Sequence, residues 1–393
     1  MKSLLITGAA GFIGANFAHY WRREHPSDRI VVLDALTYAG NRDNLTGLEG
    51  APDFHFVHGN ICDQALVERL LRGHDIDAIV HFAAESHVDR SITGPDAFIE
   101  TNVAGTHSLL KAARAVWLDG GDPRPDCLFQ HISTDEVYGS LGPDDAAFRE
   151  DTQYAPNSPY AASKAAADHL VRAYHRTFGL PVVTSNCSNN YGPYQFPEKL
   201  IPLFLTNILA GKPLPVYGDG RQIRDWLHVE DHCRAIELCM REGRRGETYN
   251  VGGNNECANI DLVNELCASV DRRFANEEGL ARRYPAAPPA NGESSSTLIT
   301  HVTDRLGHDT RYAIDTTKIA TELGYRPQVD FPTGLASTID WYLANEDWWT
   351  GLKNLRTALQ AGEQSGFGGE LNMDEIKEEA RRKAGLLQDG EGN

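Results

Sequence analysis

Short apolar runs alternate with amphipathic segments over the first half of the chain. Ser3–Thr7, Ile30–Leu33, Phe54–Val57, Ala78–Phe82, Cys127–Ser133 and Pro181–Thr184 are nearly continuous in apolar and β-branched residues. Such runs predict strands buried on both faces, the pattern of a parallel sheet. Between them, Ile13, Phe17, Tyr20 and Trp21 share one helical face, and helices are expected near Gln64–Leu71, Pro95–Trp117 and Pro159–Phe178. This alternation predicts an α/β fold, a doubly wound parallel sheet with ligands at the carboxyl ends of its strands. From about Asn189 proline, glycine and aromatics rise. Residues 189–226 and 258–351 are read as a smaller, mixed α/β C-terminal lobe, with 227–257 returning to the domain formed by 1–188. Tyr284–Thr297 lacks periodicity and reads as an exposed loop; 352–393 reads as a polar appendage.

Composition narrows the class. Of 393 residues, 41% are hydrophobic and 23% charged, which excludes collagen-like, disulfide-scaffold and wholly disordered chains. No apolar run approaches the ~18 residues of a membrane helix, and the first six residues are too short an apolar stretch for a signal peptide. Thirty-seven basic residues against 55 acidic ones give a net charge of −18. That disfavours nucleic acid and anionic membranes, but not a small anionic ligand, which feels only local charge. Seven scattered cysteines without a C-x-x-C predict free thiols in a reducing cytoplasm. His55, His58 and Cys62 suggest no metal site, because a strand points residues three apart to opposite faces.

Gly8-Ala9-Ala10-Gly11-Phe12-Ile13-Gly14 follows the first strand and opens the first helix. Glycines there allow a tight turn and a close backbone approach to a pyrophosphate at a helix N-terminus. Alone, such a turn is weak evidence, because it also serves as a plain strand–helix connection. Asp34, ending the second strand, adds a carboxylate for ribose hydroxyls and favours NAD over NADP. Together these predict a Rossmann-type domain. Tyr160 and Lys164, at i and i+4, share a helix face, so a lysine cation is expected to lower the phenol's pKa. Thr134, Asp135 and Glu136 follow a buried strand into the ligand crevice; burial and mutual repulsion are expected to leave an acid beside a base.

These residues resemble the extended short-chain dehydrogenase/reductase superfamily and, within it, the dTDP-glucose 4,6-dehydratases. Asp34–Asn41, Ala83–Ser91, Ser133–Gly139, Asn186–Pro193, Phe196–Pro202, Gly218–Trp226 and Asp304–Tyr312 carry the resemblance, which spans about residues 1–345. Two positions depart from the family pattern: Asn60 replaces an aspartate and Leu306 a proline. The resemblance implies NAD contacts by Gly8, Gly11, Phe12, Ile13, Gly14, Asp34, Ala35, Leu36, Thr37, Asn60, Ile61, Phe82, Ala83, Ala84, Ser86, Thr101, Tyr160, Lys164 and Asn190. It implies contacts to dTDP-glucose by Ser86, Thr134, Asn189, Lys199, Leu200, Pro215, Val216, Tyr217, Arg224, Asn259, Asp304, Arg305 and His308. It also implies a homodimer, with Leu109, Leu110, Ala113 and Val116 as an apolar stripe on one contributing helix.

The implied reaction oxidises C4 through Tyr160 and NAD, removes the C5 proton with Glu136, and expels the C6 hydroxyl with a proton from Asp135. Thr134 binds the C4 oxygen. A UDP-glucose 4,6-dehydratase is the near alternative. A nucleotide-sugar 4-epimerase needs the oxidation but neither carboxyl group, and a non-catalytic binding protein needs neither these nor the Tyr-Lys pair.

Overall fold

The computed structural model describes residues 2–120, 123–124, 126–304 and 307–352. Its strands are β1 (Ser3–Thr7), β2 (Arg29–Asp34), β3 (Phe54–His58), β4 (Ala78–His81), β5 (Leu128–Thr134), β6 (Val182–Cys187), β7 (Asn189–Tyr191), β8 (Leu214–Tyr217), β9 (Ile223–His228), β10 (Thr248–Val251), β11 (Glu256–Ala258) and β12 (Ile299–Val302). Seven of them form one parallel sheet in the order β10-β6-β5-β4-β1-β2-β3. β1 and β5 are buried along their whole length, although β5 carries Gln130, His131, Ser133 and Thr134 among its apolar residues. The chain leaves β1 for β2 on one side and reaches β4 on the other, and this switch point opens a crevice at the strand ends.

Helices cover both faces. Phe17 and Trp21 pack with Cys233, Ile236 and Met240 on one side, and Val67, Leu71, Leu109, Trp117 and Val171 on the other. The helix Pro159–Phe178 starts and stops where its sequence dictates. Ser158 caps it by accepting from the Ala161 amide at 3.1 Å, proline occupies the first position, and Gly179 ends it at φ 73°.

Pro95–Trp117 is less regular than a single α-helix. Asp96–Phe98 leads into a π-helical stretch, Ile99–Gly105, before Thr106–Trp117 resumes α geometry. Asn102 within that stretch donates to Ser163 Oγ at 2.8 Å and to Glu85 O at 2.9 Å, so the helix is locked to its neighbours where it passes the crevice. The apolar stripe expected to face a partner turns inward instead. Leu109, Leu110 and Ala113 are fully buried, and Val116 nearly so, against this chain's own core.

The second lobe holds a three-stranded sheet, β11-β9-β7, and a parallel pair, β12-β8. The helices Leu200–Leu209, Asn259–Asn276 and Phe331–Ala344 complete its core. Tyr284–Thr297 is not the exposed loop its composition suggests. Short 3₁₀ turns at Pro288–Asn291 and Ser295–Leu298 organise it, and Tyr284, Ala287 and Ser295 are buried. Asp271 clamps it, accepting from Ser295 N at 3.0 Å and Ser294 Oγ at 2.8 Å, as well as from Ser295 Oγ. The expected appendage, apart from Leu352, lies outside the described residues. Asp271→Ala strands these donors, and is expected to cost about 1.5–3 kcal/mol, read as a lower urea midpoint with an unchanged slope.

Candidate active site

The turn after β1 is built for close approach. Gly8 has φ +73°, and a Cβ there would lie 2.5 Å from Ala83 N; a Cβ on Gly14 would lie 2.4 Å from Gly8 O. Only backbone fits. The helix Phe12–Glu24 begins at Gly11 with no side-chain cap, and Gly11, Phe12 and Ile13 line a cavity at the crevice. Asp34 fastens the turn beside it: Oδ2 accepts from Ala10 N and Oδ1 from Leu36 N, both at 2.8 Å. Asp34, Ala35, Thr37, Asn60, Ile61, Phe82, Ala83, Ala84, Ser86, Thr101 and Asn190 share the cavity wall with Gly8 and Gly14. Leu36 is the one expected contact of this group outside that wall, in left-handed backbone at φ 49°. Asn60 turns its acceptor onto the Cys62 amide at 2.9 Å.

The same cavity continues to the end of β5. Thr134 ends that strand and caps the 3₁₀ turn Asp135–Tyr138, its hydroxyl accepting from Glu136 N at 3.3 Å. That hydroxyl also lies 3.4 Å from Asp135 Oδ1 and is hydrogen-bonded to Tyr160. One threonine thus joins all three candidate acids and bases. Asp135 is buried, and its Oδ2 finds no hydrogen-bond partner among the described residues. Burial, and after it the charges of Glu136 and Asp225, hold the Asp135 carboxyl well above the usual carboxylate range; Arg224 opposes them. Glu136 is half-buried. The pair therefore offers a proton donor next to a more solvated carboxylate.

Tyr160 behaves differently from expectation. Burial, followed by the nearby Glu136, pushes its phenol well above the ordinary value. Lys164 is buried one turn away and donates to Ile132 O at 2.8 Å. Burial and the neighbouring Glu136 favour the neutral phenol, against the expectation that Lys164 lowers it.

Of the expected substrate contacts, Ser86, Thr134, Asn189 and Lys199 line the cavity, with Lys199 Nζ donating to Ser86 O at 3.0 Å. Leu200, Pro215, Val216, Tyr217, Arg224, Asn259, Asp304 and His308 do not. Several of these gather in the second lobe. β8 carries Pro215–Tyr217, and Asp304 accepts from Gln222 at 3.0 Å and lies 2.6 Å from His308 Nδ1. The Asn259 amide donates to Gln222 O at 3.0 Å. Arg305 and Leu306 lie outside the described residues. Arg224 is 5% exposed, donates to Asp309 O at 2.9 Å and lies over the Tyr312 ring at 4.2 Å. Its charge reaches both Asp135 and Tyr312. Sequence reasoning missed Asp225, Tyr312 and Ser188. The adjacency of Asp225 to Arg224 was the available signal for the first, and the blocks Asn186–Pro193 and Asp304–Tyr312 contained the others.

A family model described as GDP-mannose 4,6 dehydratase matches residues 5–338. The dTDP-glucose 4,6-dehydratase of Xanthomonas campestris is 56% identical over 353 residues, covering 90% of this chain and 96% of that protein. The chain belongs to the dTDP-glucose 4,6-dehydratase family. An Escherichia coli member of the family is 50% identical over 373 residues, covering 93% and 99% of the two chains. The Streptomyces venezuelae dTDP-glucose 4,6-dehydratase, solved with NAD and TYD bound, is 48% identical with a TM-score of 0.78, covering 89% of this chain and 100% of that one.

The acidity of Asp135 in this dTDP-glucose 4,6-dehydratase family member has a stability signature. Its folded pKa is raised, so its contribution is fully present below the unfolded value of about 3.9 and is lost as pH rises through the folded value. Asp135→Asn is expected to unfold at higher urea than the native protein at neutral pH, with that advantage shrinking toward about pH 4.

Proposed function

We propose that this dehydratase family member is an NAD-dependent hydro-lyase that converts dTDP-glucose to dTDP-4-keto-6-deoxyglucose. The carrying observation is the Asp135–Glu136 pair at the end of β5, set beside Tyr160 and Lys164 in the cavity that begins at the glycine turn. An epimerase has no use for two further acids there. The residues present fit NAD: Gly8 and Gly14 leave room only for backbone, uncapped helix amides face the cavity, and Asp34 stands where ribose hydroxyls need an acceptor. When bound, NAD supplies an acceptor for hydride from C4 and a donor of that hydride to C6.

The chain's own residues move the protons. Tyr160 accepts the C4 hydroxyl proton as a phenolate, held in line by Thr134, and is the neutral phenol once it has done so. The new ketone acidifies C5–H, and Glu136 takes that proton. Asp135 protonates the C6 oxygen as its bond to carbon breaks, so the oxygen leaves as water. Glu136 returns its proton to C5 when C6 has gained hydride. Each turnover leaves Tyr160 one proton richer and Asp135 one poorer, and Thr134 lies between them. Arg224, in charge contact with Asp135, suits a diphosphate linking the sugar to a base held near Pro215–Tyr217. Arg305 is assigned to the same diphosphate from its sequence block alone. The relatives' substrate supports thymine over uracil, a distinction of one methyl worth about 1–3 kcal/mol.

The protein works in the cytoplasm, a reading supported by seven free cysteines and by the absence of any described helix long and apolar enough to cross a membrane. It forms a homodimer through Pro95–Trp117 and Pro159–Phe178. Support comes from Ile99, 52% exposed on the first helix, and Phe178, 40% exposed at the end of the second. Light scattering at micromolar protein is expected to give twice the chain mass; a monomer mass contradicts the pairing.

Incubation with dTDP-glucose is expected to yield a 6-deoxy product, whereas a 4-epimer retaining its C6 hydroxyl would overturn the assignment. Glu136→Gln is expected to oxidise C4 and stall, accumulating NADH at about 340 nm while product formation falls roughly 10²–10⁴-fold. Tyr160→Phe is expected to leave the cofactor oxidised.

A further inference from the structure

The helix Pro159–Phe178 carries more of the site than its Tyr160–Lys164 pair. Asp168 lies one further turn along, so the three residues occupy i, i+4 and i+8 on one face. All three are buried, at 9%, 5% and 6% exposure. The Asp168 carboxylate accepts from Ser133 Oγ and Tyr154 OH, both at 2.9 Å, and lies 3.0 Å from His131 Nε2. These are neutral partners. Burial, then the charge of Lys164, pulls His131 below its ordinary value, and its Nδ1 finds no partner among the described residues. Nε2 is the ring nitrogen that faces Asp168, and burial favours the neutral ring over a charged partner for that carboxylate.

Lys164 has the complementary problem. Its ammonium is enclosed and donates to a neutral carbonyl, Ile132 O. From β4, His81 faces it, held well below its ordinary value by burial first and His131 second; from β6, the Cys187 thiol is pushed up to about 12 by burial. Tyr160 on the same helix is pushed up as well. Burial pulls the Lys164 ammonium down, and the largest opposing influence is the Asp168 carboxylate. Asn186 and Tyr138 close the far side of Tyr154, and Arg172, the next turn along, is solvent-exposed and forms no ion pair among the described residues.

We propose that Asp168 is a positioning residue, the buried counter-charge that keeps Lys164 an ammonium and so maintains the positive field under the Tyr160 oxygen. The inference rests on the reaction proposed above and adds a third member to its Tyr160–Lys164 pair. A buried ammonium without a counter-charge sheds its proton at working pH. With it goes the field that favours phenolate as Tyr160 changes charge. Asp168 touches no reacting atom; it acts through Lys164, and through Ser133 it also steadies the strand end that bears Thr134.

The test is the pH dependence of kcat for the NAD-loaded native protein, Asp168→Asn and Asp168→Glu between about pH 6 and about pH 10. Loss of the negative charge lowers the Lys164 pKa. The alkaline limb of Asp168→Asn is therefore expected to move down by roughly one to two pH units, with Asp168→Glu restoring it toward the native position. An equal fall at every pH with an unmoved limb assigns Asp168 to packing alone and overturns the proposal. A second measurement needs no altered Asp168. In holoenzyme labelled with ¹³C-lysine, the Lys164 ε-carbon, identified by its loss in Lys164→Met, is expected to report an ammonium at about pH 8. A neutral amine there overturns the proposal. This signal requires no turnover, so a native protein that makes no 6-deoxy product defeats the proposed reaction while leaving the charge pair separately tested.

Discussion

The seating of the helix Pro159–Phe178 on β5 is the contact on which the site depends. Lys164 bonds to the Ile132 carbonyl, and Asp168 gathers Ser133 and His131 from the same strand. These bonds set the rotation and height of the helix against the strand end. Tyr160 then meets Thr134, and Thr134 organises Asp135 and Glu136. A rotation of the helix by one residue would swing its polar line out of the seam and leave a buried carboxylate and ammonium unpaired, which low-dielectric surroundings penalise heavily. The polar seam between helix and sheet acts as a register key for the chemistry as well as a stabilising contact.

The second lobe brings a different constraint. Arg224 and Asp225 sit on β9, outside the cavity wall, and their charges reach Asp135. Asp225 is tied to the backbone of Gly253 at 2.8 Å and Asn255 at 2.6 Å, and with Glu136 it raises the acidity threshold of Asp135. The proton donor thus draws its character from both lobes, whereas the glycine turn and Asp34 belong to the first alone.

What could be read from the sequence was local. The strand runs, the glycine turn and the helix Pro159–Phe178 are set by neighbours a few residues apart, and the structure shows them where the pattern placed them. The sequence blocks also led to the family. Properties set by distant partners were not legible. The stripe Leu109–Val116 is apolar whichever surface it faces, and only the tertiary arrangement turns it inward. Tyr284–Thr297 has loop composition, but Asp271 and the buried Tyr284 ring order it. The acidity of Tyr160 follows from how completely it is enclosed, which the spacing to Lys164 does not report. Arg224 was expected among the substrate contacts, but its burial against Tyr312 was invisible.

The continuity of one cavity from the glycine turn to Asp135 has a metabolic consequence. On the proposed reaction, hydride leaves the sugar and returns to it without entering solvent, and each turnover ends with the cofactor in the oxidation state in which it began. The protein therefore draws nothing from the cell's stock of oxidised nicotinamide and adds nothing to its reduced one. A dehydrogenase sharing this fold slows when that ratio falls. This chain is isolated from it, and its flux follows the supply of sugar nucleotide in respiring and fermenting cells alike.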